Sequence, residues 1–559
     1  MKKSKLSILL WMPVMALAAC GGAGTNGGGK KGTTNIRFLD YRGTGGMDWI
    51  KSAARRFEEI HKADSYEEGK TGVSISVADT KDAPDSTMAS DGNDIYLFET
   101  NPDIYAMASQ KQLLDLSDVV TPLLTKIDAD ALKRMVGPDG KYYALPHYGW
   151  YSNLTYDVDL FREHGFYFAK PGETDVTTYD RIFGKANFVA SETAEKSCGP
   201  NGVYGDYDDG LPSSLQELCI LFDYMNNQQS ISPLLLAGKQ SIYSFYLTTA
   251  LWASLSGSAA KDVYCNWSSD PVDIVTGFSQ EDLFYKGSGI KKPITESKVL
   301  NDENGYLMYD MAGRYYALAF LELCVEQRWF NQRILTDANS EAVGGAQDPF
   351  VRESSDSAIL YDASYWCHEA EGYGSFKKWQ RQNPGRERNL SMMVLPTQVE
   401  GSVSEGSGKK PTLFNLGGSY LYANANVANN PGKTKAVKEF ISFLYSDAEL
   451  AAFTESLGLN VPMTYQYDAN KPANPFYANL HAIEKDAVIV NYASDSARFR
   501  KNLKTFNISY NSGLNYYTNE KNQSVMNGYV EDMRLNGTSA QHIFSVTKLS
   551  QAGWDTMSH

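Results

Sequence analysis

Apolar positions recur along this chain at two periods, and the change from one to the other marks its elements. From Asp48 onward, Trp49, Ile50, Ala53, Ala54, Phe57 and Ile60 fall on one side of a helix, with Lys51, Arg55, Arg56, Glu58 and Glu59 mostly on the other. This predicts an amphipathic helix with Asp48 as its N-cap, because a short carboxylate accepts from the free N–H groups of a first turn. Ahead of it, Ile36-Arg37-Phe38-Leu39 is a short apolar run that ends at Asp40-Tyr41-Arg42-Gly43. After Gly72, Val73 to Val77 alternates with period 2, and Asp94-Ile-Tyr-Leu-Phe98 supplies a third strand. Strand, helix, strand and strand in this order predict an α/β lobe with a largely parallel sheet. Sheets of this kind bind ligands beyond the carboxyl ends of their strands. By position, Asp40-Tyr41-Arg42 and Glu99-Thr100-Asn101 are therefore candidate ligand segments.

Later helices carry their own start and stop signals. Ser214-Leu-Gln-Glu217 fits a capping box, and Leu215, Leu218, Leu221, Phe222 and Met225 continue one apolar face. A further helix runs from about Thr434 through Val437, Phe440, Ile441 and Leu444. Ser446-Asp-Ala-Glu449 then restarts the pattern through Leu450, Phe453 and Leu457, and Gly458 closes it. From about Lys170 to Gly210, and from Glu400 to Pro411, small and polar residues predict loops or insertions rather than domain linkers. The chain shows no internal repeat.

The first residues follow a different logic. Lys2, Lys3 and Lys5 precede an apolar run from Leu6 to Ala19 interrupted only by Ser7 and Pro13, which is too short to span a bilayer and stands where a secretory signal stands. It ends in Leu17-Ala18-Ala19-Cys20, a pattern that resembles the lipobox of bacterial lipoproteins, in which cleavage before the cysteine leaves an acylated N-terminus. Each buried methylene adds about 0.8 kcal/mol of membrane affinity, so two or three acyl chains on Cys20 would anchor the protein without a transmembrane helix. Gly21 to Thr34 is glycine-rich and reads as a flexible tether. Within it, Gly24 to Lys30 has the spacing of a phosphate-binding loop. Lys31 stands where Ser or Thr would ligate magnesium, and no strand precedes, so it is read as tether.

Composition narrows the chemistry. At 559 residues with 42% hydrophobic and 21% charged positions, the chain can bury a large core and form two or more lobes. Its net charge of −14, with no basic block, excludes a phosphate-tracking role, so no nucleic acid partner is expected. After Cys20 come Cys198, Cys219, Cys265, Cys324 and Cys367, with no CxxC pair, so at least one thiol stays free and no zinc site is suggested. Asp206-Tyr-Asp-Asp-Gly210 offers hard oxygen atoms but lacks the spacing and closing Glu of a calcium loop, and reads as a solvated turn. Aromatic residues reach 12%, with Tyr alone at 36. Most serve packing, but a flat apolar face with a polar tip also suits sugar binding.

Six weak motifs in order give a resemblance. Asn93 to Val120 (NDIYLFETNPDIYAMASQKQLLDLSDVV) and Lys141 to Phe161 (KYYALPHYGWYSNLTYDVDLF) are the longest. LPSSLQELCILFDYM, DSAILYDASYW (Asp356 to Trp366), MVLPT (Met393 to Thr397) with GGSYLYANA, and the helical pair ending LGLNVPM follow. Together they resemble the extracellular solute-binding proteins of ABC importers, in particular the family of maltose and other oligosaccharide receptors. Gln112, Ser214-Leu215 and Ala363 depart from that family's usual residues. The resemblance runs from about Asn35 to the C-terminus.

What it implies is an α/β, two-lobed periplasmic-binding-protein-like fold with a ligand cleft between lobes joined by crossing strands. Residues 1–19 would be the signal peptide and 20–34 the lipidated Cys20 and tether, with 35–149 and 412–462 forming one lobe and 153–411 and 463–559 the other. It further implies an exported, lipid-anchored, monomeric receptor that captures a carbohydrate and delivers it to the transmembrane subunits of an ABC permease, with no cofactor, metal or catalysis. A surface-anchored glycoside hydrolase and a sensing or adhesion receptor on the same fold are the alternatives. A pyranose calls for polar groups at its edge and an aromatic ring on its face. On this basis the candidate contacts are Tyr41, Arg42, Glu99, Asn101, His147, Tyr148, Trp150, Tyr243, Tyr365, Trp366, Gly417, Gly418 and Tyr516. Trp366 is favoured as the stacking platform, because Ala358-Ile-Leu-Tyr361 reads as a buried strand and the tryptophan follows its carboxyl end.

Overall fold

The computed structural model describes residues 32–41, 47–80, 88, 92–98, 103–237, 242–256, 270–331, 344–352, 357–400, 410–471, 474–491, 498, 501–502, 516–526 and 528–557. Residues 20–31 of the expected tether, Arg42, Glu99, Asn101 and Cys265 lie outside them, as does the side chain of Tyr41, while Thr34, expected to end the tether, is buried as the first residue of a strand. Among the described residues no helix is long and apolar enough to cross a membrane.

The strands in chain order are β1 (Thr34–Tyr41), β2 (Val73–Thr80), β3 (Ile95–Phe98), β4 (Ala144–Asp157), β5 (Val176–Arg181), β6 (Gly184–Val189), β7 (Ser232–Leu235), β8 (Val272–Asp282), β9 (Lys291–Lys298), β10 (Ser357–Ala363), β11 (Leu390–Met393), β12 (Thr412–Ala423), β13 (Val488–Asn491), β14 (Tyr516–Thr518) and β15 (Ser524–Met526). Nine of them form one sheet in the order β2-β1-β3-β12-β4-β10-β7, with β11 added to β4 and β13 to β12. The expected parallel start is present: β1 pairs in parallel with β2 and with β3. The helix over it runs Met47–Ile60 and buries Trp49, Ile50, Ala53, Ala54 and Phe57 against the sheet. Two details of the expected helix differ. Asp48 lies inside the first turn rather than at the cap, and Ile60, at the trailing end of the stripe, is 61% exposed because the helix ends there.

The two long strands organise the molecule. β12 pairs with β3 through Tyr420–Ala423 and with β13 through Thr412–Asn415, so its halves belong to opposite ends of the sheet. β4 does the same: Ala144–Gly149 pair with the second half of β12, and Ser152–Tyr156 pair with β10. Between the halves the β4–β12 ladder breaks register twice, on either side of the Gly418–Gly149 pair. Such breaks bend and twist a strand locally, and glycine tolerates the bend because it carries no Cβ. The sheet is thus two sheets sharing two strands, one lobe on each side of this crossing.

Local signals place the helices that cover it. Ser214 caps Leu215–Gln228 by accepting from the Glu217 N–H at 3.1 Å. The Glu217 carboxylate accepts from the Ser213 N–H at 2.9 Å, one residue further out than the motif implies. Ser446 caps Asp447–Leu457, and Gly458 closes that helix at φ 76°. The Lys170–Gly210 region is not all loop, because β5 and β6 pair as an antiparallel hairpin within it. Cys198, Cys219, Cys324 and Cys367 are buried and form no disulfide among the described residues.

Candidate functional site at the lobe crossing

Three partly exposed rings meet where β4 passes from one lobe to the other. Trp150 directly follows Gly149, and its ring centroid lies 5.4 Å from that of Tyr365 and 6.3 Å from that of Tyr246, both in edge-to-face geometry. Tyr365 stands just past the end of β10, and Tyr246 lies on the helix Ile242–Leu255. The backbone locks the first pair together. The Ser364 N–H donates to the Tyr151 carbonyl at 2.9 Å, and the Tyr151 N–H donates to Ser364 Oγ at 3.1 Å. The Trp150 N–H donates to Asn415 Oδ1 on β12 at 3.3 Å, while its indole N–H has no hydrogen-bond partner. An orphaned donor beside aromatic faces is suited to a ligand that brings an acceptor.

Behind these rings lies a carboxyl. Tyr243, one helical turn before Tyr246, sits with its hydroxyl 3.5 Å from Asp362 Oδ1. Asp362 ends the buried strand β10, and it also accepts from Gln347 Nε2 at 3.0 Å and from the Ala363 N–H at 2.8 Å. Burial pushes its pKa up to about 7, against the lowering effect of those hydrogen bonds. Gln347 Nε2 also donates to Glu369 at 2.7 Å. The arrangement is an aromatic wall, with Tyr243 tied to a hydrogen-bonded polar network behind it.

Of the sequence candidates, the structure brings Trp150, Tyr243 and Tyr365 together here. Gly418 pairs with Gly149 at the crossing, and Gly417 is its neighbour on the same strand. Trp366 is placed elsewhere. It is 0% exposed, it donates its indole N–H to Thr155 Oγ1 at 3.1 Å, and it packs edge-on against Phe350 and Phe476. The helix that begins at Trp366 turns this side chain into the lobe while Tyr365, at its cap, stays at the crossing. His147 and Tyr148 are also interior. The His147 ring stacks at 5.9 Å on Trp49 and lies 4.6 Å from Phe453, and burial pushes its pKa down to about 3. Tyr148 is 2% exposed in the same packing. Tyr516 is 47% exposed on the β14–β15 hairpin, outside the group of rings at Trp150.

Tyr246, Asp362 and Gln347 were missed. A signal existed for Tyr246, since Tyr243 and Tyr246 are three apart and share a helix face. The loop Asp206–Gly210 folds on its own donors: the Asn201 N–H donates to Asp208 at 3.0 Å and the Gly205 N–H to Asp209 at 2.8 Å. Burial, followed by the hydrogen bond with Asp206, raises the Asp208 pKa to about 8. Among the described residues, no group of three or more His, Cys, Asp or Glu is arranged to hold a metal ion.

Solved structures share this architecture. A chitin oligosaccharide binding protein superposes with a TM-score of 0.51 at 14% identity, covering 82% of this chain and 88% of its own. Maltose-bound MalE3 of T. maritima gives 0.51 at 13% identity over 92% of this chain and 97% of its own. The chain has the two-lobed fold of the periplasmic solute receptors. A putative binding protein, msme of Bacillus subtilis, in an open conformation, gives 0.50 at 13% identity over 92% and 96% of the two chains. No family model matches the sequence, and no curated protein does. The aromatic wall at Trp150 stands where the two lobes join.

Proposed function

We propose that this protein is the substrate-binding receptor of an ABC importer and captures a carbohydrate between its lobes. The observation that carries this reading is the set of three rings, Trp150, Tyr246 and Tyr365, held at the crossing of a two-lobed fold. Ring faces cover the C–H patches of a pyranose, and polar groups around them serve the hydroxyl edge. The neighbours named for chitin oligosaccharide and for maltose support the choice of ligand class. All of them are binding proteins, which supports capture without chemistry.

On this reading Trp150, Tyr243, Tyr246 and Tyr365 are ligand contacts, Gly417 and Gly418 line the crossing, and Tyr41, Arg42, Glu99 and Asn101 contribute from the opposite lobe. The lobes are 35–149 with 412–462, and 153–411 with 463–559, and the chain is exported, monomeric and held to a membrane through acylated Cys20, beside its permease. Cys20→Ala should yield a folded protein that leaves the detergent phase on partitioning. Its retention there would refute the anchor.

The test of function is a thermal-shift screen of the mature chain against mono- and oligosaccharides, followed by calorimetric titration. A ligand at 100 times Kd stabilises by about 2.7 kcal/mol. The expected result is saturable binding with the sugar recovered intact. Cleaved sugar recovered at enzyme-like turnover would instead support the hydrolase.

A further inference from the structure

Tyr151 follows Trp150 on β4 and therefore points to the opposite face of the strand. There it lines a cavity of ≈ 390 Å³ on the far side of the crossing from the aromatic wall. Asn415 of β12 lines the same cavity, Lys126–Asp128 come from one lobe, and His481 and Glu484 come from the helix Pro475–Asp486 of the other. The segment 460–467, which joins the helix Asp447–Leu457 to the helix Pro475–Asp486, closes the remaining wall with Tyr465 and Tyr467. The volume lies at the small end of ligand-sized pockets, which run from about 300 to 1,000 Å³.

The buried polar atoms left without partners on His481 and Asn460 are both acceptors. His481 is 1% exposed, and its Nε2 lies 2.8 Å from the Gly458 carbonyl, so Nε2 carries the proton and donates. Burial keeps the ring neutral, which leaves Nδ1 as a bare acceptor, and that atom has no partner. Asn460 Nδ2 donates to Tyr467 Oη at 3.0 Å and to Glu484, so its Oδ1 is a second acceptor, also buried and without a partner. Glu484 makes the third. Its neighbours are Asn460 and the Tyr151 hydroxyl, and burial pushes its pKa up to about 7. Lys126 and Lys485 stand in the cavity lining, but Lys126 is engaged by Asp447 at 2.7 Å and Lys485, which acts on Glu484, is exposed. Two unpartnered buried acceptors and a carboxyl, beside two tyrosine rings, describe a site for a ligand that brings donors and a positive charge.

We infer that this cavity is a second binding site, selective for a small aliphatic ammonium ion whose N–H groups meet Glu484, Asn460 and His481 and whose carbon chain lies against Tyr465 and Tyr467. The site draws on both lobes and on the crossing strands, so an ion seated there bears on the angle between the lobes. The inference does not depend on what the cleft binds.

The probe is butylammonium, titrated into the mature chain by calorimetry alongside butanol and butyrate, its neutral and anionic matches in length. Butylammonium is expected to bind saturably at one site, at least ten-fold tighter than either match. Glu484→Gln should weaken it ten-fold or more, and Asn460→Asp, which adds a carboxylate to the cavity, should tighten it, an effect that misfolding cannot imitate. Equal binding of the three probes, no saturable heat, or butylammonium affinity unmoved by both substitutions would overturn the inference.

Discussion

Tyr365 and Trp366 are adjacent in sequence and opposite in role. Tyr365 shows its ring to the crossing beside Trp150, whereas Trp366 is closed in by Phe350, Phe476 and Thr155. Trp366→Ala should therefore cost about 3–5 kcal/mol of folding stability with the affinity of the folded fraction unchanged, as read by denaturant melts and titration on the same protein. Tyr365→Ala should do the reverse, losing about 1–3 kcal/mol of sugar affinity and little stability. His147 allows a pH test. Its folded pKa of about 3 lies below the ordinary 6.5, so the native state excludes a proton that the unfolded chain accepts. Stability from this group is complete above pH 6.5 and is lost as pH falls from there towards 3, by about 1.4 kcal/mol per pH unit. His147→Phe should remove that slope. Parallel stability curves for the two proteins between pH 6.5 and 4 would show that His147 is charged in the fold.

At the scale of elements, what was legible followed short-range rules. The strand and helix starts at Val73, Ser214 and Ser446 each rest on a local period or a cap, and each appears in the structure, while the strand expected from Ile36 begins two residues earlier, at Thr34. The choice between Tyr365 and Trp366 was not legible, because it depends on one residue of phase at the start of a helix. Nor was Asp362, whose environment is made by Gln347 and Tyr243 from distant parts of the chain. The crossing makes its own prediction. A Cβ on Gly149 would come within 2.9 Å of the Tyr151 hydroxyl oxygen, so that ring must shift to admit it. Gly149→Ala should destabilise the protein by about 1–3 kcal/mol. It should also change the amplitude of the lobe motion, which small-angle scattering with and without sugar would detect. Unchanged stability and scattering would show that Gly149 is not part of the hinge.

At the scale of the molecule, two lobes that share strands can close on a ligand by bending only where those strands cross. The radius of gyration should therefore fall when sugar is added, and an unchanged radius under saturation would count against closure. The shared strands have another consequence, for how the chain comes to be folded at all. β3 borders β12 through Tyr96 and Tyr422, and the Asn424 side chain reaches the Tyr96 hydroxyl across 328 residues of sequence. The first lobe to be synthesised thus lacks an interior strand of its own sheet until about three-quarters of the polypeptide has left the ribosome. Contacts this distant form slowly, since loop closure must come before them. A nascent chain with this connectivity cannot complete its first lobe until late in its synthesis.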